Sequence, residues 1–140
     1  MLHEIYEKGQ ISTEYLILIS FVTFVVLAAL GVAFFYAGGI RDSLRSSQIE
    51  SFSDKLNSLA ESVYYSGEPS TTMMKGYLPS GIEGIVISGK DIIFNVTYEG
   101  GVSVTAYSAN VNLNGTISPA SGVKRIQLTA RDNDVLIVEG

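Results

Sequence analysis

Residues 15–40 read YLILISFVTFVVLAALGVAFFYAGGI, and 21 of these 26 belong to the hydrophobic set, with no charge between Glu14 and Arg41. At the helical rise this stretch is about 39 Å long, against a bilayer hydrocarbon core of roughly 30 Å, so one helix of it can cross a membrane. The full chain of 140 residues is 46% hydrophobic and only 16% charged. Outside the stretch, 44 hydrophobic residues in 114 make an ordinary soluble composition. The sequence is therefore a membrane-length helix attached to a water-soluble domain. Its formal net charge of −5 offers no clustered cation for a nucleic-acid backbone. It has no cysteine and a single histidine, His3, which excludes thiol catalysis, zinc fingers and a disulfide framework.

An apolar segment near an N-terminus has several readings. A cleavable secretory signal has a basic start, a core of roughly 7–15 apolar residues and a small-residue cleavage site after it. Here the core is longer, and the one leading cation, Lys8, lies among Glu4 and Glu7. A plain signal anchor fits the length. The border of the segment decides between the anchor and a more specific reading.

That border reads EKGQISTEYLILISF, residues 7–21, with a short polar leader ending in Lys8-Gly9 and a carboxylate, Glu14, at the lip of the apolar run. It resembles the archaeal type IV pilins that carry a class III signal peptide, whose pattern is matched here by Gln10, Ser12, Glu14 and Tyr15. The resemblance covers the first third of the chain. It implies cleavage between Gly9 and Gln10 by a prepilin peptidase, retention of the apolar helix, and assembly with other copies into a surface filament that serves attachment. It also implies an assembly ATPase and a membrane platform protein as partners.

Elementary chemistry fits this implication. Gly9 has no side chain and a permissive backbone, which suits a protease drawing out an extended leader. Cleavage would give Gln10 a largely protonated α-amino group at neutral pH. Glu14 lies four residues on, on the same helical face and in what would then be the first turn, opposite the positive end of the helix dipole. A carboxylate at the edge of a bilayer needs a partner, its own N-terminus or a neighbour's. The competing reading makes Glu14 a simple helix-start residue with Ser12 as N-cap. Cyclisation of an N-terminal Gln10 would remove the ion pair.

The resemblance places the leader inside and the long domain outside, although Arg41 and Arg45 after the helix mildly favour the reverse. Asn-x-Thr triplets at Asn95 and Asn114 are possible N-glycosylation acceptors and fit an exterior domain, but such triplets are common by chance.

Past Ile40 the pattern becomes amphipathic. Leu44, Ile49, Phe52, Leu56, Leu59 and Val63 form one apolar stripe, with Asp42, Arg45, Glu50, Asp54, Lys55 and Glu61 on the other faces. No proline interrupts Ser12 to Tyr65, so the simplest expectation is one helix of about 54 residues. Ala29, Ala33 and Ala37 recur at i, i+4 and i+8, which permits close helix approach or merely reflects helix propensity. Gly38-Gly39 is the candidate for a bend or a local melting point. Ser66-Gly67 followed by Pro69 ends the helix.

A breaker-rich loop, GEPSTTMMKGYLPSG, follows, carrying Met73, Met74 and Tyr77. Then come β-branched and aromatic runs over 85–88, 91–99, 102–113, 123–130 and 135–139, joined by hairpin-sized turns. The expected fold is α+β: a long N-terminal helix, apolar then amphipathic, packed on a C-terminal antiparallel sheet of four or five strands, type IV pilin-like. Its divisions are a leader at 1–9, an apolar helix at 10–40, an amphipathic helix at 41–66, a loop at 67–84 and a β domain at 85–140.

No residue set suggests catalysis, a metal or a cofactor. Asp132-Asn133-Asp134 lacks the spaced ligands of a calcium loop and reads as a turn. The expectation is a structural subunit whose partners are the peptidase, the lipid bilayer and further copies of itself, with no nucleic acid. The alternative is a membrane-anchored binding module, using the sheet and the Met73/Met74/Tyr77 loop, or a minor pilin.

Overall fold

The computed structural model describes the backbone of residues 2–140 and the side chains of residues 8–140. The chain forms two compact units, Met1–Ile40 and Arg41–Gly140. His3, Glu4 and Glu7, and with them most of the expected leader, fall outside the described side chains.

A single helix, α1, is assigned over Leu2–Ser66. It starts ten residues before Ser12, so Ser12 is not an N-cap and Glu14 is not in the first turn of this chain. The reason is local: nothing between Leu2 and Ser12 forbids helix, and Gly9 costs only about 1 kcal/mol there relative to Ala. In the first unit every described residue from Lys8 to Tyr36 is exposed, and only Ala37 and Gly38 are half-buried. Gly38 and Gly39 do not end the helix.

In the second unit, residues 41–66 bury one stripe: Ile49, Phe52, Leu56, Ala60 and Val63 are all at most 4% exposed. Leu59 is partly buried, whereas Leu44, expected on the stripe, is 58% exposed. The helix ends as its sequence requires. Gly67 takes φ 84°, which an L side chain resists, and its N–H returns to the Tyr64 carbonyl at 3.2 Å.

Seven strands follow: β1 (Thr71–Leu78), β2 (Ile82–Ser88), β3 (Asp91–Tyr98), β4 (Gly101–Ser108), β5 (Leu113–Gly115), β6 (Gly122–Ala130) and β7 (Val135–Glu139). The long helix on a largely antiparallel sheet system is the expected α+β class, but the strands form two sheets. One has the order β1-β6-β7-β5, the other is the meander β2-β3-β4. β5 runs parallel to β7, pairing Leu113 with Val135, and is the one parallel ladder among the described residues.

Two expectations need correction. The segment 67–84 is not a loop: it contains all of β1 and the start of β2, and Met74 and Leu78 are buried while Met73 and Tyr77 face out. This is period-2 alternation in a segment whose glycines and prolines signalled a turn. The run 102–113 is not one strand either. It breaks at Ala109–Asn112 and re-enters the other sheet as β5. Gly115 at its end takes φ 135° and lies so close to β7 that a Cβ would sit 2.0 Å from the Ile137 carbonyl oxygen.

The two sheets are bridged where Leu113 N–H donates to the Gly89 carbonyl at 2.7 Å. Together they wrap the amphipathic helix, leaving β1 and β4 as outer edges. The core between helix and strands includes Phe94, Ile126, Leu128 and Ile137, each at most 1% exposed. Lys124 is buried among them at 7%, its ammonium donating to Glu139 Oε1 at 2.8 Å.

Candidate functional site

The expected processing residues, Gly9 and Gln10, sit in regular helix and are exposed. The Thr13 hydroxyl donates to the Gly9 carbonyl at 2.9 Å, an i−4 back-bond that competes for the helical acceptor. A Cβ built on Gly9 would meet nothing within 4 Å. Gly9 is therefore not required for packing, and any reason for glycine there lies outside this chain's own contacts.

Beyond it the motif residues Ser12, Glu14 and Tyr15 are exposed as well. Glu14 has no ion pair among the described residues. The apolar segment is uncovered on every face: Phe34 is 77% and Phe35 84% exposed, and the most apolar 18-residue window has no residue buried. Ala29 and Ala33 are exposed along the same side, with Ala37 half-buried. This is one helix long and apolar enough to span a membrane. An apolar helix with no partner in its own chain needs lipid or other helices around it.

No family model, curated protein or solved structure matches the chain.

The head, residues 41–140, offers surface chemistry of a different kind. A groove of about 520 Å³ opens between the helix and β1, floored by Phe52 and Gly76, walled by Leu44 and Tyr77, and flanked by Lys55 and Lys75. Lys55 Nζ donates to the Lys75 carbonyl at 2.6 Å, which places an ammonium on an otherwise open strand edge. No carboxylate lines the groove. The opposite flank of the helix carries Glu50, Asp54 and Glu61. There Asn110 donates to Glu61 Oε2 at 3.3 Å, and Asn57 donates to the Ser108 carbonyl of β4 at 3.4 Å. The Tyr107 hydroxyl on β4 is held above its ordinary pKa, first by burial and then by Glu50, Tyr98 and Asp54. None of these flank charges was singled out from the sequence as a site. The available signal was the helical wheel, which puts Lys55 about 100° or more from each of Glu50, Asp54 and Glu61.

The two glycosylation candidates separate. Asn114, in β5, and Thr116, just after it, are exposed, whereas Asn95 is half-buried in the central strand β3. Thr97, the third residue of the Asn95 triplet, donates its hydroxyl to Glu83 Oε1 at 2.6 Å and its N–H to the Gly81 carbonyl at 2.7 Å. An enzyme that must wrap an extended triplet meets a ladder at both, in the central strand at Asn95 and in the three-residue β5 paired with β7 at Asn114.

Among the described residues no group of three His, Cys, Asp or Glu side chains could hold a metal. The Asp132–Asp134 turn is closed by a bidentate ion pair: Arg131 Nε and Nη2 donate to Asp134 Oδ1 and Oδ2 at 2.7 and 2.8 Å. That pair holds the Asp134 carboxyl below its usual range. His3 lies outside the described side chains.

Proposed function

We propose that this chain is a structural subunit of a type IV pilin-like surface filament, inserted in a membrane as a precursor and trimmed between Gly9 and Gln10 by a prepilin peptidase. The observation that carries the reading is the wholly uncovered apolar stretch of α1, bordered by Glu14, which has no ion pair among the described residues, and joined to a head that completes its own core. In lipid the stretch is solvated by acyl chains; in a filament it is solvated by the same stretch of neighbouring copies. Exchange between two apolar settings yields little hydrophobic gain, so packing and charge pairing select the register. Trimming converts the interior of α1 into a terminus. Residue Gln10 then begins the helix, and Glu14 enters the first turn beside a new ammonium, its own or a neighbour's. The small residues Ala29, Ala33 and Ala37 allow close approach along the way. An assembly ATPase and a membrane platform protein would drive the transfer, and the heads would face the exterior for attachment.

Two measurements on the native protein test this. Mass spectrometry of the mature chain is expected to find Gln10, free or cyclised, at its start; an intact leader favours the membrane-anchored binding module instead. Glu14→Ala is expected to leave membrane insertion unchanged and to cut filament yield by about tenfold or more, the loss of one charged pair in an apolar setting. Filaments from that variant at the ordinary yield would refute the role given to Glu14.

A further inference from the structure

Of the four edge strands of the two sheets, β5 and β2 lie near each other, and β1 and β4 lie on opposite flanks of the helix that the head wraps. β1 is held to one flank through Lys55 and the Lys75 carbonyl, β4 to the other through Asn57 and the Ser108 carbonyl. β4 reads GVSVTAYS: eight residues without a charge or a proline, with Val102 and Val104 61% and 66% exposed. Natural edges normally carry a charge, a proline or a bulge against strand-to-strand association, and β4 carries none of these. The flanks also differ in sign. Beside β4 the helix shows Glu50, Asp54 and Glu61, and Arg45 near the start of β4 is engaged by Asp42 and the Thr97 carbonyl; beside β1 it shows Lys55, with Lys75 across the groove.

We infer that the β4 flank of one copy docks into the β1 groove of a second copy, its apolar edge against Leu44 and Tyr77 and its Glu50 and Asp54 opposite Lys75 and Lys55. Charge complementarity selects a second copy as occupant, since one chain bears both halves of the contact. Because the two surfaces differ, the contact is heterologous and repeats head to tail, and in a filament its rotation does not close on itself. This deepens the filament reading and rests on it: helix packing would form the shaft, and the head contact would fix which neighbour each subunit meets.

The chain contains no cysteine, so introduced thiols report only the intended contact. In the full-length protein, in its own membranes and in sheared filaments, Ser51→Cys in the groove and Ser103→Cys on β4 are made singly and together, then treated with a short bis-maleimide. Only the double variant is expected to give a ladder of dimers, trimers and higher species. Dimers from either single variant would show a two-fold contact and overturn the inference, as would a monomeric double variant. Lys75→Glu in the double-cysteine chain is expected to weaken the ladder about tenfold, and Asp54→Lys added to it to restore the ladder. Folding is not at risk from Lys75→Glu, because Lys75 stands opposite Arg125 on β6 and the change removes a like-charge cross-strand pair. No loss, or loss without rescue, counts against the contact. Filament yield of the unaltered chain is scored separately: filaments without a ladder refute the head contact alone, whereas no filaments and an untrimmed leader refute the filament reading.

Discussion

One helix, α1, has two halves that treat the same kind of side chain in opposite ways. In residues 10–36 leucines and phenylalanines stand in the open, as Phe35 does at 84% exposure; in residues 49–63 every residue of the apolar stripe but Leu59 is at most 4% exposed. The difference is not one of hydrophobicity, since Phe35 and Phe52 are the same residue. It lies in what the rest of the chain supplies. Strands β1 to β7 build a surface that fits one stripe, and Leu44, five residues before Ile49 and so about 140° round the helix, points off it into the groove although Arg45 and Ser46 beside it still reach the strands. Burial in this protein is assigned by partner, and residues 10–36 have none among the described residues.

Three perturbations bear on that contrast, beginning with the strongest. Leu56, 0% exposed, touches the core of the head. Leu56→Ala is expected to lower the stability of the head by about 2–5 kcal/mol, by lost transfer energy and a residual cavity. Leu27→Ala, at a position 61% exposed, is expected to leave it unchanged. Urea unfolding of the full chain in detergent, followed by tyrosine fluorescence, compares the two; equal losses would erase the distinction between the halves.

The next in size is the buried pair at the far end of the core. Lys124 is 8% and Glu139 28% exposed in their side chains, and the carboxylate accepts both the ammonium and the Ser118 N–H, each at 2.8 Å. Removing its charge in Glu139→Gln is expected to cost about 1.5–3 kcal/mol, as for hydrogen bonds to charged groups. The Lys124 ammonium, followed by the Ser118 N–H, holds the Glu139 carboxyl below its ordinary range. A depressed carboxyl stabilises the fold above its unfolded pKa of about 4.3 and loses that contribution as pH falls through the depressed value. Midpoints measured from pH 7 downward should therefore fall less steeply in Glu139→Gln than in the unaltered chain below about pH 4. Parallel curves would mean that the pair is not titrating with folding.

The smallest is a gain. Ser53 is 0% exposed, and its hydroxyl has no protein partner. Ser53→Ala is expected to raise stability by about 1 kcal/mol, from better helix propensity and an unneeded polar group removed. The same substitution at Ser20 in the exposed half should change nothing in the head.

Much of this was readable from residue spacing. Ile49, Phe52, Leu56 and Val63 announce their buried face by period alone, and Ser66-Gly67 with Pro69 marks the end of α1. Ala60 and Ser53 were not foreseen in the core, because small residues carry no hydrophobic signal of their own and are admitted by closeness of packing. β1 was misread for a physical reason: Gly76 and Pro79 look like turn residues, while the alternation of Met73 and Tyr77 outward with Met74 and Leu78 inward is visible only once a sheet is assumed. β5 was merged with β4 because its three residues pair in parallel with a strand twenty residues on, and non-local pairing leaves no local mark. The motif around Gln10, Glu14 and Tyr15 is legible as a pattern, but its helical setting from Leu2 onward is not, since the polar leader has no apolar stripe to announce it.

The place of β7 in its sheet also sets an order of events. It lies between β6 and β5, so the ladder that closes around Ile49, Leu56 and Phe94 lacks its middle rung until residues 135–139 are present. At a synthesis rate of about 5–20 residues per second, the amphipathic helix precedes that rung by roughly 4–15 s. For that interval the stripe of residues 49–63 still awaits part of the surface that covers it, and the helix presents apolar side chains in both halves. The amphipathic half acquires its full distinction from residues 15–40 only at the last strand.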